Sequence, residues 1–280
     1  MKTFSKQPGN EEKIFVSCPI CGTLQDKILR DCGDYSFSKC DICGLVFQNP
    51  RPSVMDLIGR YDKEYFEYEL REEKQFLDLM LKSLRDVNFF VSSANLKNEG
   101  FLDIGCATGI LLEYLQKNNY RVSGLEICPE SANYGINKRK IDIRINALEK
   151  EAFPDESFYF VHSSHVIEHI ADPLSFLREI RRILKPGGAL YLTTPNIDGF
   201  QAKIYKEKWR SFIPDHVVLF GKKYLGSLLR NEGFKIENIK TWGGMACGAG
   251  HPILKKILDP AAKKLGIGDV MIFAARKLLK

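Results

Sequence analysis

The sequence predicts an α/β protein, a mainly parallel sheet covered by helices on both faces, behind a small cysteine-rich module. Three observations carry this. From Gly100 onward, short apolar runs alternate with helical segments, the pattern of successive β–α units. Two Cys-x-x-Cys-Gly repeats, Cys18 to Gly22 and Cys40 to Gly44, precede that region. With 280 residues, 44% of them hydrophobic, the chain has apolar material for one large domain plus a small one.

The opening MKTFSKQPGNEEK has no apolar core of a secretory signal. No run approaches the roughly 18 apolar residues of a membrane span. A cytoplasmic protein with reduced cysteines is the expectation, and tight cysteine pairs there read as metal ligands rather than disulfides. The net charge of +6 is uneven. From Glu11 to Pro50, four Lys/Arg face six Asp/Glu, a balance of −2; from Gln201 to Lys280, sixteen face six, a balance of +10.

Residues 1–50 form the first module. Cys18, Cys21, Cys40 and Cys43 present four thiolates, with 18 residues between the pairs, a spacing suited to one tetrahedral structural Zn²⁺. Four protein ligands leave no open position for catalysis, and Cys32 has no assigned role. A zinc ribbon invites a nucleic-acid reading, but gripping phosphates needs Lys and Arg. The acidic balance of this ribbon disfavours nucleic acid and favours a structural or substrate-side role.

Residues 51–98 read as a helical linker or cap. Asn49-Pro50-Arg51-Pro52 ends the ribbon and Ser53 is a cap. Tyr61, Tyr65, Phe66 and Tyr68 cluster ahead of a charged helix expected over 72–96, with Phe76, Leu77, Leu79, Met80, Leu84 and Val87 as its apolar stripe. The simple reading is a helix packed on the core, with a tyrosine closing over a ligand as the alternative. Residues 99–280 form the main domain. Its strands are expected at Phe101–Ile104, Arg121–Glu126, Ile141–Ile145, Phe158–Ser163, Ala189–Thr194, Phe234–Thr241 and Val270–Ala275. In the helix that follows Asp172, the aspartate is the N-cap, Pro173 the first helical residue, and Lys185-Pro-Gly-Gly188 the stop.

In such sheets the ligand sits beyond the carboxyl ends of the strands. The turn Asp103-Ile-Gly-Cys-Ala-Thr-Gly109 ends the first strand. It lacks the Lys-Ser/Thr of a P-loop and the glycine spacing of a dinucleotide loop. Its glycines let the backbone approach a ligand at a helix N-terminus, while Asp103 disfavours a pyrophosphate and favours positive charge. Twenty-one residues beyond Gly105, Glu126 ends the next strand and can accept both hydroxyls of a ribose. A nucleoside with a cationic, phosphate-free tail satisfies these constraints; S-adenosylmethionine is such a molecule.

LDIGCATG, Glu126, the segment from Phe153 to Ile170, FLREIRRILKPGG and LTTPN resemble the class I S-adenosylmethionine-dependent methyltransferases. The branch they resemble includes ubiquinone-pathway O-methyltransferases and bacterial sugar or polysaccharide-cluster methyltransferases, many with an N-terminal zinc ribbon, NPRP and a Tyr-rich stretch. The resemblance covers about 103–233 well and the ribbon fairly well. It implies a Rossmann-like seven-stranded sheet whose last strand is antiparallel. It also implies that Asp103, Gly105, Ala107 and Gly109 surround the methionine moiety, that Glu126 holds the ribose, and that Ile127, Asn146 and Ala147 flank the adenine. Ser164 and His165 would close the other side. Asn146 stands where Asp is common, and its amide can still read the adenine amino group.

Transfer to a hydroxyl or acidic carbon needs alignment and a base, and histidine suits neutral pH. His165, His169, His216 and His251 fall at the expected strand-end face, and His162 lies within a strand. His216, in a Pro-Asp-His pattern that by resemblance faces substrate, is the first candidate base, with Trp209 and Phe212 as substrate walls. His165 is second, and His169 is either orienting or reactive. His165-Val-Ile-Glu-His169 also spells a zinc-peptidase signature. The resemblance explains it without proteolysis, and a histidine where related quinone O-methyltransferases carry Glu weakens a magnesium reading. The glycine-rich loop from Trp242 to His251 suggests a lid. Residues 252–265 form a basic amphipathic segment, suited to a solvated insertion, a peripheral membrane contact or a phosphorylated substrate.

The expected function is methyl transfer to a small or carrier-linked acceptor, a sugar, glycolipid or phenol, with an anionic substrate suggested by the basic C-terminal segment. The rivals are an rRNA or tRNA methyltransferase using the ribbon for RNA, and a non-catalytic zinc-ribbon scaffold. Oligomeric state is not legible.

Overall fold

The computed structural model describes residues 13–243 and 262–279. Its first part contains β1 (Lys13–Ile14), β2 (Asp26–Asp31), β3 (Ser36–Cys40), β4 (Val46–Gln48) and β5 (Arg51–Pro52). β2, β3 and β4 form an antiparallel meander, and β1 pairs with β5. The cysteine pairs occupy two tight turns, before β2 and between β3 and β4. Gly22 and Gly44, both at positive φ, donate back to the carbonyls of Cys18 and Cys40 and close each turn.

The cap contains α1 (Val54–Ile58), α2 (Lys63–Asp86) and α3 (Phe89–Ser92). Ser53 caps α1 by accepting from the Asp56 N–H. The long helix begins nine residues before the expected Glu72, because Asp62 accepts from the N–H groups of Glu64 and Tyr65 and starts it there. It ends at Asp86, where Asn88 adopts left-handed backbone (φ 64°) and turns the chain into α3. The aromatic cluster therefore lies on the first turns of α2 rather than ahead of it.

The main domain follows as β6 (Phe101–Ile104), α4 (Ile110–Lys117), β7 (Val122–Glu126), α5 (Pro129–Tyr134), β8 (Ile143–Ile145) and β9 (Phe158–Ser164). Next come α6 (Pro173–Ile183), β10 (Leu184–Pro195), α7 (Phe200–Tyr205), β11 (Val218–Leu219), α8 (Lys222–Asn231), β12 (Phe234–Trp242) and β13 (Val270–Lys277). Among the described residues, seven strands form one sheet in the order β12-β13-β10-β9-β6-β7-β8. β6, β7, β8, β9 and β10 pair in parallel, and β13 runs antiparallel to both of its neighbours. This is the expected Rossmann-like sheet with its last strand reversed. One face buries Phe101, Phe160 and Tyr191 against Phe89 of α3 and Leu111, Leu112 and Leu115 of α4. The other buries Leu102, Val161 and Leu190 against Phe176, Leu177 and Ile180 of α6. Asp172 caps α6 through the Ser175 N–H, as its sequence foretold.

The ribbon is not a separate bead. β11 of the main domain pairs antiparallel with β4 and becomes the fourth strand of the ribbon sheet. The Gln48 N–H donates to the Val217 carbonyl, and the Tyr35 hydroxyl donates to the Phe212 carbonyl. Trp209 and Phe212, expected as substrate walls, are buried in this junction with Phe37, Val46 and Leu219. Trp209 is 1% exposed, because a large ring is worth most where it excludes water between two layers. The glycine-rich loop with His251, and the basic segment up to residue 261, lie outside the described residues. No helix among the described residues is long and apolar enough to cross a membrane.

Phe47, fully enclosed in the same junction, gives a test of this coupling. Phe47→Ala should cost about 3–5 kcal/mol, with ribbon and core unfolding in one transition in urea. Separate transitions for the two parts would contradict the shared sheet.

Candidate active site

The carboxyl ends of β6, β7 and β9 converge on one cleft. The turn after β6 is shaped by Gly105 (φ 72°), which is exposed to the cleft and leaves no room on its other side. A Cβ there would stand 2.5 Å from the Val166 side chain. Ala107 is also left-handed (φ 49°), strain of the kind that gathers at functional turns. Glu126, at the end of β7, is buried and accepts from the N–H groups of Ala107 (2.9 Å) and Cys128 (2.8 Å). Burial pushes its carboxyl upward, and those backbone donors work against the rise. Asp103 is buried too, with its Oδ1 2.7 Å from Nδ1 of His162.

Ile127, Asn146, Ala147 and Ser164 sit half-buried at the adjoining strand ends. Asn146 Oδ1 accepts from the Ala147 N–H and its amide donates to Glu151, so this side chain first shapes its own turn. With Gly105 and Gly109 at positive φ, every expected cofactor-side residue lies along this one end of the sheet. The loop from Gly105 to Gly109 carries carboxylates beside it and no Lys or Arg. The donor set fits the ribose hydroxyls and cationic tail of an adenosyl sulfonium and opposes a pyrophosphate.

α2 crosses the mouth of the cleft. Glu73 takes the hydroxyl of Thr108, Glu69 that of Ser131, and the Asp62 carbonyl faces the Cys128 thiol. Tyr61 packs its ring edge-on against His169. Burial, aided by the charge of Glu126, raises the Glu69 carboxyl to about 8, so it is protonated at neutral pH. The sequence reading missed Glu69 and Glu73; their signal was the helical spacing behind the Asp62 cap.

Beyond β9 lies the histidine cluster. His165 is exposed and left-handed (φ 57°), and its Nδ1 stands 2.9 Å from Glu168 Oε1. Glu168 is wholly buried and also accepts from the Thr194 hydroxyl at 2.9 Å. Burial alone would raise its carboxyl, but the His165 hydrogen bond and the neighbouring imidazoles bring it down to about 2. The ionised carboxylate can only accept, so Nδ1 of His165 is the donor in this pair. His169 Nδ1 donates to the Asp215 carbonyl and His216 Nδ1 to the Ser211 carbonyl. Their rings lie edge to face at 4.9 Å. Glu168, His169 and His216 bring one ligating atom each within 4.8 Å of one another. His162 lies one layer deeper, bound to Asp103. The segment 167–169 is a single short turn, not the long helix that carries a peptidase signature.

The four ribbon thiols also lie within 4.8 Å of one another, with Cys18–Cys43 and Cys21–Cys40 at 3.5 Å. A tetrahedron with Zn–S bonds of about 2.3 Å has edges of about 3.8 Å, so the thiols need almost no adjustment to take that ion. Burial opposes ionisation of Cys40, but the N–H groups of Cys43 and Ile42 hold its thiol down at about 7.

Burial, helped by the charge of His169, lowers His216 from 6.5 to about 3. A depressed folded value means the unfolded chain binds the extra proton first, so stability is lost as pH falls from 6.5 toward 3. The loss is up to about 1.4 kcal/mol per pH unit. Glu168, also depressed, adds a loss in the same direction below about 4.5. His216→Gln should flatten the dependence of urea stability between pH 6.5 and 4.5. An unchanged slope would place the titration elsewhere.

The sequence model of the methyltransferase domain family matches residues 70–239. The ubiquinone biosynthesis O-methyltransferase of Xanthomonas oryzae pv. oryzae is 32% identical over 124 residues, 41% of this chain and 52% of that protein. The enzyme of the same name from Cereibacter sphaeroides is 37% identical over 113 residues, 37% of this chain and 45% of its own. The chain thus spans about half the length of the curated relatives it matches. Among solved structures, an S-adenosylmethionine-dependent methyltransferase of Thermotoga maritima superposes with a TM-score of 0.54 at 21% identity, over 76% of this chain and 98% of that one. Another, from Archaeoglobus fulgidus, gives 0.55 at 19% identity, over 75% and 99%. At such identities the likeness speaks for the fold. Family match, strand order and strand-end cleft agree: this chain belongs to the class I S-adenosylmethionine-dependent methyltransferases.

Proposed function

We propose that the protein transfers a methyl group from S-adenosylmethionine to a hydroxyl of a small or carrier-linked acceptor, with His165 as the general base. The observation that carries this is the His165–Glu168 pair beside the Asp103–Glu126 cleft. When bound, the cofactor supplies the electrophilic methyl. In this reading Glu126 accepts the ribose hydroxyls, Asp103 faces the cationic tail, and the Gly105–Gly109 turn admits the backbone close to the ligand. Glu168 holds the proton of His165 on Nδ1, leaving Nε2 to take the acceptor's proton as its oxygen attacks. The relatives named for ubiquinone O-methylation support oxygen as the attacking atom.

This ordering reverses the one read from sequence. His216 is enclosed, and a base driven to about 3 by burial accepts protons too weakly at neutral pH. It and His169 serve instead as walls that support Glu168. The zinc ribbon, in this reading, is a brace: its sheet holds the loop from Trp209 to Phe220. That engagement with the core favours a structural role over RNA contact.

Two measurements test the reading. His165→Ala should lower turnover by about 10²–10⁴-fold, assayed with radiolabelled cofactor and a catechol acceptor, while calorimetry shows S-adenosylhomocysteine binding within about twofold of the parent. Equal losses in binding and turnover would make His165 structural. Removal of one equivalent of zinc with a strong chelator should red-shift the fluorescence of buried Trp209 as the junction opens. Zinc-free protein as purified, or unchanged emission after zinc loss, would count against the brace.

A further inference from the structure

A cavity of about 260 Å³ lies between the ribbon sheet and the main domain. Its floor is apolar, with Leu45 and Val46 from the ribbon, Phe212 and Leu219 from the His216 loop, and the ring of Tyr224 from α8. Its charged groups are Arg30 from β2, Lys39 from β3, Lys203 from α7 and one carboxylate, Asp198. Arg30 is shared with Glu207 at 3.6 Å. Among the described residues, the ammonium groups of Lys39 and Lys203 and the carboxylate of Asp198 have no hydrogen-bonding or ion-pair partner. The Tyr224 hydroxyl is already committed to the Cys43 thiol, so this residue offers only its ring face.

The cavity adjoins the chain that leaves the carboxyl end of β10. Ile197 and Asp198 follow the carboxyl end of β10, and the His165 N–H donates to the Thr193 carbonyl on that same strand. Five residues of extended chain span at most about 18 Å, which with the 2.9 Å hydrogen bond keeps Asp198 within roughly 21 Å of the His165 backbone. Two ammonium groups without partners fit a phosphate, held as point-charge contacts. A free carboxylate accepts hydroxyls, and an aromatic face over apolar side chains suits a sugar ring. A volume of this size is small for a pocket and suits one such unit rather than a polymer.

We infer that this groove holds the phosphate-bearing end of a sugar-like methyl acceptor, its phosphate between Lys39 and Lys203 and a hydroxyl on Asp198. The inference rests on the methyltransferase reading and deepens it by naming a substrate class. Calorimetry of the full chain, saturated with S-adenosylhomocysteine, would compare glucose 1-phosphate, glucose and inorganic phosphate. Glucose 1-phosphate should bind more tightly than either fragment. The double variant Lys39→Glu, Lys203→Glu should weaken it at least tenfold, and Asp198→Asn should bring the ester close to inorganic phosphate. S-adenosylhomocysteine affinity should be unchanged in all variants, which shows that they fold. No saturable binding of glucose 1-phosphate, or binding indifferent to the double charge reversal, overturns the proposal. Failure of S-adenosylhomocysteine to bind the parent protein would instead defeat the methyltransferase reading itself.

Discussion

The carboxyl groups of Glu69, Asp103, Glu126 and Glu168 are buried around the cleft at one end of a single sheet, and the architecture there follows from keeping the four in place. An uncompensated carboxylate out of water is costly, and each of the four finds a different remedy. Asp103 has an imidazole at 2.7 Å. Glu126 accepts two backbone N–H groups from the turns that follow β6 and β7. Glu168 is held ionised by His165 and Thr194. Glu69, with Glu126 for a neighbour, remains protonated near neutrality. Positive charge entering this space finds acceptors already oriented, and a phosphate finds no Lys or Arg on the Gly105–Gly109 turn. The selectivity of the cleft is therefore a consequence of how the fold tolerates its own acids.

The ribbon obeys a second constraint. A three-stranded meander of this size buries little on its own, and four thiols supply only a local clasp. Pairing β4 with β11 extends the sheet and gives Phe37 and Phe47 a surface to cover. The loop that carries His216 thereby acquires fixed ends, one through strand pairing and one through Trp209. Thiol cluster, ribbon and strand ends are joined by chain connectivity as well as by contact.

Much of this was legible beforehand because it is local. Apolar period, caps and stop signals placed the seven strands within a few residues, and the Asp172-Pro173 start of α6 was read correctly. The cysteine turns were readable because spacing alone nearly sets their geometry. What escaped was non-local. A two-residue strand at Val218–Leu219 has no periodicity to detect, and its partner lies some 170 residues away. Trp209 showed the composition of a binding wall, but an aromatic ring buried at a layer junction has the same composition. The start of α2 was misplaced because the aromatic run masked the cap at Asp62.

The histidines show why residue type and position do not settle a catalytic role. All three candidates lie at the same end of the sheet, and two of them, His169 and His216, spend Nδ1 on backbone carbonyls. Only His165 combines solvent access with a carboxylate behind it. Its left-handed backbone is the conformation that lets one residue leave β9 and still hydrogen-bond to β10 through its N–H. The strain of that turn and the buried charge of Glu168 are both costs that packing alone does not require. The proposed role of His165 as a base at the mouth of the cleft, with Nδ1 directed at the inner carboxylate, would account for both.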